Sequence, residues 1–156
     1  MVENKKKNDA VFIGAAVYVI LVSLISGLLY LFKPTFMPYH AQVLACSWDS
    51  LSAGHKILHL ALMRVVGMGF LCVCVAVGVL AWRAHHHREK WAGLLAGILS
   101  VMMFGIGVYA DLIIAIQTGS TPPWYGTMSG LVASLGVLTI AVIQTVRSVH
   151  IKQSDY

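Results

Sequence analysis

The sequence predicts an all-α integral membrane protein, a bundle of four transmembrane helices with a folded outer loop between the first and the second. Of its 156 residues, 58% are hydrophobic and 11% are charged, which is too apolar for a soluble domain of this size. Four apolar runs each exceed the roughly 20 helical residues that a bilayer core of about 30 Å requires. Together they take up most of the chain, so we expect residues 1–156 to form a single membrane domain.

The predicted transmembrane helices cover residues 10–32, 57–82, 91–116 and 124–146. The first run is too long for the core of a signal peptide and no small-x-small cleavage site follows it, so we interpret it as a retained helix. It ends at Lys33-Pro34, because proline lacks a backbone donor and disfavours helix at the residue before it. Trp82 and Trp91 flank the short second connection, which predicts a tight antiparallel hairpin with its turn at the membrane surface.

The outer loop between the first two helices is the longest connection. Pro34 and Pro38 rigidify its start, and Ser47-Trp-Asp-Ser indicates the entry to a short helix before the second span. Several of its side chains suit the lipid interface, namely Phe36, Met37, Tyr39 and Trp48. We therefore expect this loop to fold back over the mouth of the bundle.

The basic residues predict the orientation. Eight of them lie in the N-terminus, the second connection and the C-terminus: Lys5, Lys6, Lys7, Arg83, Arg88, Lys90, Arg147 and Lys152. The other two connections carry Lys33 and Lys56. The positive-inside rule then predicts that both termini are cytoplasmic. The net charge of +5 is a topology signal and an attraction to anionic lipid, and its division among short segments argues against nucleic-acid binding.

Arg64 and Asp111 are charges inside apolar runs, where each costs roughly 2.5–3.5 kcal/mol even on lenient insertion scales. If the second span enters the hydrocarbon core near Leu58 and the third leaves it near Gln117, Arg64 and Asp111 each lie six residues inside, or about 9 Å at 1.5 Å per residue. We therefore predict a buried ion pair that lines an outward-facing pocket. Two alternatives stay open: a pair that only fixes helix register, and an Arg64 that reaches up to the outer headgroups.

Three histidines are weak candidates for a metal site. His55 and His59 are four residues apart on one helix face, and His40 lies in the outer loop. Hydrogen-bonded histidines at the interface are the favoured interpretation, so we predict no metal. No cofactor is predicted either, because the apolar cores of the first, third and fourth predicted transmembrane helices contain no histidine that could bind haem.

Other polar and aromatic residues also gather in the outer half of the predicted bundle. Tyr109, Trp124 and Tyr125 lie there, together with His40 and His59, whereas the inner halves of the helices are nearly featureless. Tyr109 and Asp111 should point to different faces of their helix. We expect any site to open outward.

Small residues recur at four-residue spacing, a pattern typical of close helix packing in lipid. The pairs are Ser23/Gly27, Gly93/Gly97 and Gly126/Gly130.

Four segments, F-M-P-Y-H (36–40), W-x-x-L (48–51), L-x-L-M-R-V-x-G (60–67) and T-P-P-W-Y-G (121–126), give the chain a family resemblance. The pattern resembles that of small uncharacterised four-span proteins of the bacterial inner membrane. The resemblance covers about residues 30–130 and implies that Arg64, His40 and Trp124 belong to one outer-facing feature. The resemblance implies no particular reaction.

The leading functional hypothesis is a non-catalytic bundle whose outer pocket binds a lipid, a small amphipathic ligand or a membrane protein partner. One alternative is a membrane enzyme that uses Asp111, Tyr109 or His59 as acid or base on a lipid-soluble substrate. Another is a small transporter or proton relay, which should carry polar residues through the whole membrane depth. Homo-oligomerisation stays open.

Overall fold

The computed structural model describes the backbone of residues 2–154 and the side chains of residues 6–146. Lys5, Arg147 and Lys152, which the charge pattern includes, lie outside the described side chains. The regular secondary structure of the described chain is all helical: α1 (Val2–Phe32), α2 (Pro38–Leu44), α3 (Ala53–His86), α4 (Lys90–Thr118) and α5 (Trp124–Ser154). Within it, all helices but α2 are long and apolar enough to cross a membrane, which confirms the predicted four-span bundle.

The short helix of the outer loop lies earlier than predicted. It is α2, which begins at Pro38, after Met37 in an extended conformation with φ −68° and ψ 152°. Proline suits the first helical turn because its missing N–H would have no partner there. The segment 48–51 forms a turn instead, with the Leu51 amide donating to the Trp48 carbonyl at 3.3 Å.

The two ends of the bundle differ in what they carry. The hairpin end carries the α3–α4 turn, the N-terminal end of α1 and the C-terminal part of α5, where the Asp9 carboxylate accepts hydrogen bonds from Arg88 at 2.8 Å and Gln144 at 3.0 Å. Within the turn, the Arg83 guanidinium donates to Glu89 at 2.6 and 2.7 Å and holds the pKa of that carboxyl below its usual value. The loop end carries α2 and the α4–α5 connection.

The long helices form a ring in which α1 packs most extensively against α3, and α4 against α5. Glycines make both contacts close. A Cβ on Gly67 would lie 2.8 Å from the Leu31 amide nitrogen of α1, and one on Gly97 would lie 2.6 Å from the Leu138 Cα of α5. Side chains there would separate the backbones, which small residues keep close in lipid.

The predicted small-residue pairs are confirmed in most positions. Gly93 and Gly97 are both buried, and a Cβ on Gly93 would meet the methyl groups of Ala141 and Ala84 at 3.4 and 3.5 Å. Gly27 and Gly130 also face neighbouring helices closely, whereas Gly126 faces open space.

The apolar core occupies the hairpin half and the middle of the bundle. One cluster near the hairpin end joins all four long helices through Phe12, Ala16, Leu80, Ala92, Ala96, Val137 and Ala141. A second cluster follows toward the middle and contains Val19, Phe70, Val77 and Phe104. Beyond Phe104 the described interior contains the buried carboxylate of Asp111 beside the apolar Met63 and Phe36, which positions the candidate site at the loop end.

The depth of that site follows from helix geometry. Trp82 and Trp91 are exposed at the hairpin end, where tryptophan typically marks the membrane interface. At 1.5 Å per residue, Arg64 lies about 27 Å from Trp82 along α3, and Asp111 about 30 Å from Trp91 along α4. A hydrocarbon core of about 30 Å would therefore end near both residues.

Candidate functional site

Asp111 and Arg64 lie at one level of the bundle but do not form the predicted ion pair. Asp111 is 7% exposed, and the Thr127 hydroxyl donates to its carboxylate at 2.6 Å. Arg64 is exposed, and its side chain makes no hydrogen bond or ion pair with any residue that the structure describes. The predicted ion pair was wrong. The two residues agree in depth, but their side chains point to different sides of the bundle.

The helix faces explain this difference. Asp111 is seven residues after Phe104, two turns along the face of α4 that packs against α5. Arg64 is seven residues before Leu71, on the face of α3 that meets Gly27 of α1. Two turns beyond Gly27, however, α1 has already ended at Phe32, so Arg64 stays uncovered.

A tyrosine pair joins α2 to α1 beside Asp111. The hydroxyls of Tyr30 and Tyr39 lie 2.7 Å apart. Burial raises the pKa of Tyr39 well above its usual value, and the Tyr30 hydrogen bond and the charge of Asp111 raise it further. Asp111 therefore lies within electrostatic reach of the tyrosine pair. The sequence pattern predicts Tyr39 only as a residue of the lipid interface.

His40 of α2 and His59 of α3 form a second pair. Nε2 of His59 lies 3.3 Å from Nδ1 of His40, which also accepts the Met37 backbone N–H at 3.2 Å. A nitrogen that accepts a backbone N–H carries no proton, so this network assigns the proton of neutral His40 to Nε2. Burial, followed by the effect of His59, lowers the pKa of His40 to about 4, which agrees with a neutral ring.

His55 does not join these two histidines. It is exposed at the start of α3, where its ring lies 2.8 Å from the hydroxyl of Ser52, the N-cap residue. Among the described residues no three His, Cys, Asp or Glu side chains form a set that could hold a metal. The three candidate histidines therefore do not converge on one ligand set.

Aromatic side chains of the outer loop cover the histidine pair. Phe36 is buried, with its ring centroid 5.3 Å from Trp48 and 5.8 Å from His59. The ring of Tyr39 lies 4.2 Å from that of His40. The loop thus folds back over the bundle, as the sequence predicts.

The other predicted site residues lie at the edge of this arrangement. Tyr109 is 57% exposed and Tyr125 is 92% exposed, so the structure turns both away from the interior. Tyr109 and the buried Asp111 point to different faces of α4, as the sequence predicts. Trp124 participates through its backbone, because its carbonyl accepts a hydrogen bond from Thr127 at 3.2 Å.

We give the name loop-end cluster to the buried and half-buried polar residues described above: Tyr30, Tyr39, His40, His59, Asp111 and Thr127. Sequence reasoning missed Tyr30 and Thr127. Hydroxyl residues are common near helix ends, so the residue type alone is a weak signal. Tyr30 and Thr127 stand out only by their position one or two helical turns along the buried face of their helices, and that face is identified only when the packing partners are known.

No protein-family model matches this chain, and searches of curated proteins and of solved structures return no significant match.

Proposed function

We propose that this protein is a membrane-embedded binding protein whose loop-end cluster holds the headgroup of a lipid or small amphipathic ligand. One observation carries the proposal: each of the five helices contributes a polar side chain to this cluster, while the described interior from Phe104 to the hairpin end is mainly apolar. A polar group at the boundary of the hydrocarbon, with apolar walls below it, suits a molecule with one polar end.

The chemistry of the cluster favours a headgroup that donates hydrogen bonds. An ionised carboxylate has about four acceptor positions, and Asp111 receives a donor from Thr127 at one oxygen. The two tyrosine hydroxyls share one hydrogen bond between them. Acceptor capacity is therefore in surplus, and an amine or hydroxyl group of a ligand would use it.

The enzyme hypothesis has less support. It assigns acid or base chemistry to Asp111, Tyr109 or His59, and Tyr109 is turned outward. The two that remain lie in separate hydrogen-bonded pairs, Asp111 with Thr127 and His59 with His40. The transporter hypothesis needs polar groups along the whole path. Toward the hairpin end the described buried polar side chains are Ser23, Ser100 and Ser134, of which the last two donate to carbonyls of their own helices.

We further propose the bacterial inner membrane as the location, in keeping with the family resemblance, with the loop end facing outward. The basic residues support this orientation. In it the cluster would accept ligands from the outer leaflet. A membrane protein partner at the same end is the competing occupant.

The proposal can be tested with two lipids that differ in donor groups. Phosphatidylethanolamine has an ammonium group with N–H donors, and phosphatidylcholine has none. Native mass spectrometry of the detergent-purified protein with equal amounts of both should show preferential retention of the ethanolamine lipid. Asp111→Asn should reduce that preference about tenfold, the value of one charge-assisted hydrogen bond.

Asp49→Asn is the matched control, because Asp49 is an exposed acid at the same end. It should keep the wild-type preference. Equal retention of both lipids by the wild-type protein, or an unchanged preference in Asp111→Asn, would refute a hydrogen-bonding headgroup site at Asp111.

A further inference from the structure

Two cations at the loop end have no counterion in the described chain. Arg64 is exposed on α3, and Lys33 is half-buried directly after α1. Neither side chain makes a hydrogen bond or an ion pair with any described residue. At the boundary of a hydrocarbon layer, such long basic side chains extend into the headgroup region, where lipid phosphates are available.

These two cations lie at one level on neighbouring helices. A Cβ on Gly67 would contact the Leu31 nitrogen, so these two residues mark where α3 and α1 cross. Arg64 lies three residues from Gly67 toward the loop end, and Lys33 lies two residues from Leu31 in the same direction. At 1.5 Å per residue, their backbones differ in height by only about 2 Å.

The acids of the described chain cannot neutralise them. Asp9 and Glu89 are paired at the hairpin end, and Asp111 is buried against α5 with Thr127. Asp49 lies exposed in the α2–α3 connection and forms no ion pair with either cation. The compensating negative charge must therefore come from outside these residues.

We propose that Lys33 and Arg64 together bind the phosphate of an anionic membrane lipid in the leaflet at the loop end. Arg64 lies about 27 Å along α3 from Trp82, which puts its guanidinium within reach of the headgroup layer. From Arg64 toward the hairpin end, α3 has exposed apolar residues, including Val65 and Met68, which would contact the acyl chains. Guanidinium and ammonium groups both bind phosphate well.

This site is separate from the loop-end cluster, because Arg64 faces outward while Asp111 faces the interior. The donor-dependent preference for ethanolamine lipid and the charge-dependent preference proposed here can therefore fail independently.

The test is native mass spectrometry of the full-length protein in mild detergent with equal amounts of phosphatidylglycerol and phosphatidylcholine. The wild-type protein should retain phosphatidylglycerol preferentially. Arg64→Gln and Lys33→Gln should each lower that preference about fivefold, the usual contribution of one basic residue at an anionic surface. Arg64→Lys should keep most of it.

Lys56→Gln is the matched control, because the Lys56 ammonium already donates to the Asp49 carbonyl at 3.4 Å and lies over the Trp48 ring. It should retain the wild-type preference. The proposal is overturned if the wild-type protein retains both lipids equally, or if Arg64→Gln and Lys33→Gln match Lys56→Gln. Displacement of phosphatidylglycerol by millimolar inorganic phosphate would also overturn it, by pointing to free phosphate as the ligand.

Discussion

At the scale of single residues, the Thr127 hydroxyl supplies the hydrogen bond that the described structure gives to the buried Asp111 carboxylate. Thr127→Val keeps the shape of the side chain and removes this donor. We expect it to lower the free energy of unfolding by about 1–2 kcal/mol, as for a hydrogen bond to a buried polar group in a membrane protein. The unfolding midpoint in mixed detergent micelles measures this loss.

Thr139→Val is the control for that measurement, since Thr139 is exposed on the same helix. It should change the midpoint little. If both replacements have the same small effect, the Asp111–Thr127 bond contributes nothing to stability.

His40 should make stability depend on pH. Burial lowers the pKa of folded His40 to about 4, whereas the unfolded residue has the ordinary histidine pKa of about 6.5. Between these values the unfolded state binds more protons, so stability is complete above about pH 6.5 and falls as the pH is lowered toward 4. Protonation of Nδ1 would also remove the acceptor that Met37 uses.

Thermal melts of His40→Phe between pH 7 and pH 4 should therefore be flatter than those of the wild-type protein, even where its melting temperature is lower at neutral pH. His55→Phe removes an exposed histidine from the same end and should keep the wild-type slope. Identical slopes for all three proteins would assign the pH dependence to other groups.

At the scale of helices, the glycines of α4 differ sharply in the space they leave. A Cβ on Gly97 would press on the backbone of Leu138, one on Gly93 would make ordinary contacts, and one on Gly105 would meet no atom within 4 Å. Gly97→Ala should destabilise by about 1–3 kcal/mol through overpacking. Gly105→Ala should stabilise slightly, because alanine restricts the unfolded chain.

Gly93→Ala should fall between these two. The melting temperatures of the three variants in one detergent give the order directly. An order in which Gly97→Ala is as stable as Gly105→Ala would mean that α4 and α5 are less closely packed than the structure has them.

The spans could be predicted from sequence because hydrophobicity sums over some 20 residues and tolerates local exceptions. Axial position was predictable for the same reason: counting residues put Arg64 and Asp111 at one level. The direction in which each side chain points could not be predicted, because the part of a helix face that a neighbouring helix covers depends on where that neighbouring helix ends. The end of α1 at Phe32 exposes Arg64, and α5 covers Asp111.

Short-range contacts in the loop were harder still. The position of α2 depends on Pro38 at its first turn and on tertiary bonds from Tyr39 and His40 to the long helices. A helix of 7 residues has little stability of its own, so the pattern of its residues gives a weak signal.

At the scale of the whole molecule, the basic residues predict that the hairpin end faces the cytoplasm. Reporter fusions after Lys33, Arg88, Gly119 and Lys152 should report outside, inside, outside and inside in turn. A cytoplasmic signal from the fusion at Gly119 would reverse the orientation, and the loop-end cluster would then face the inner leaflet.

Each of the two extensive helix contacts joins consecutive spans, α1 with α3 and α4 with α5. During synthesis each pair can therefore close as soon as its second helix has entered the membrane, before the other pair exists. Assembly of the whole bundle then depends mainly on the docking of these two finished halves, and less on the covalent link between α3 and α4. Residues 1–87 and 88–156, made as separate chains in one cell, should copurify through a tag on either half, and recovery of only the tagged half would show that the continuous chain is needed for assembly.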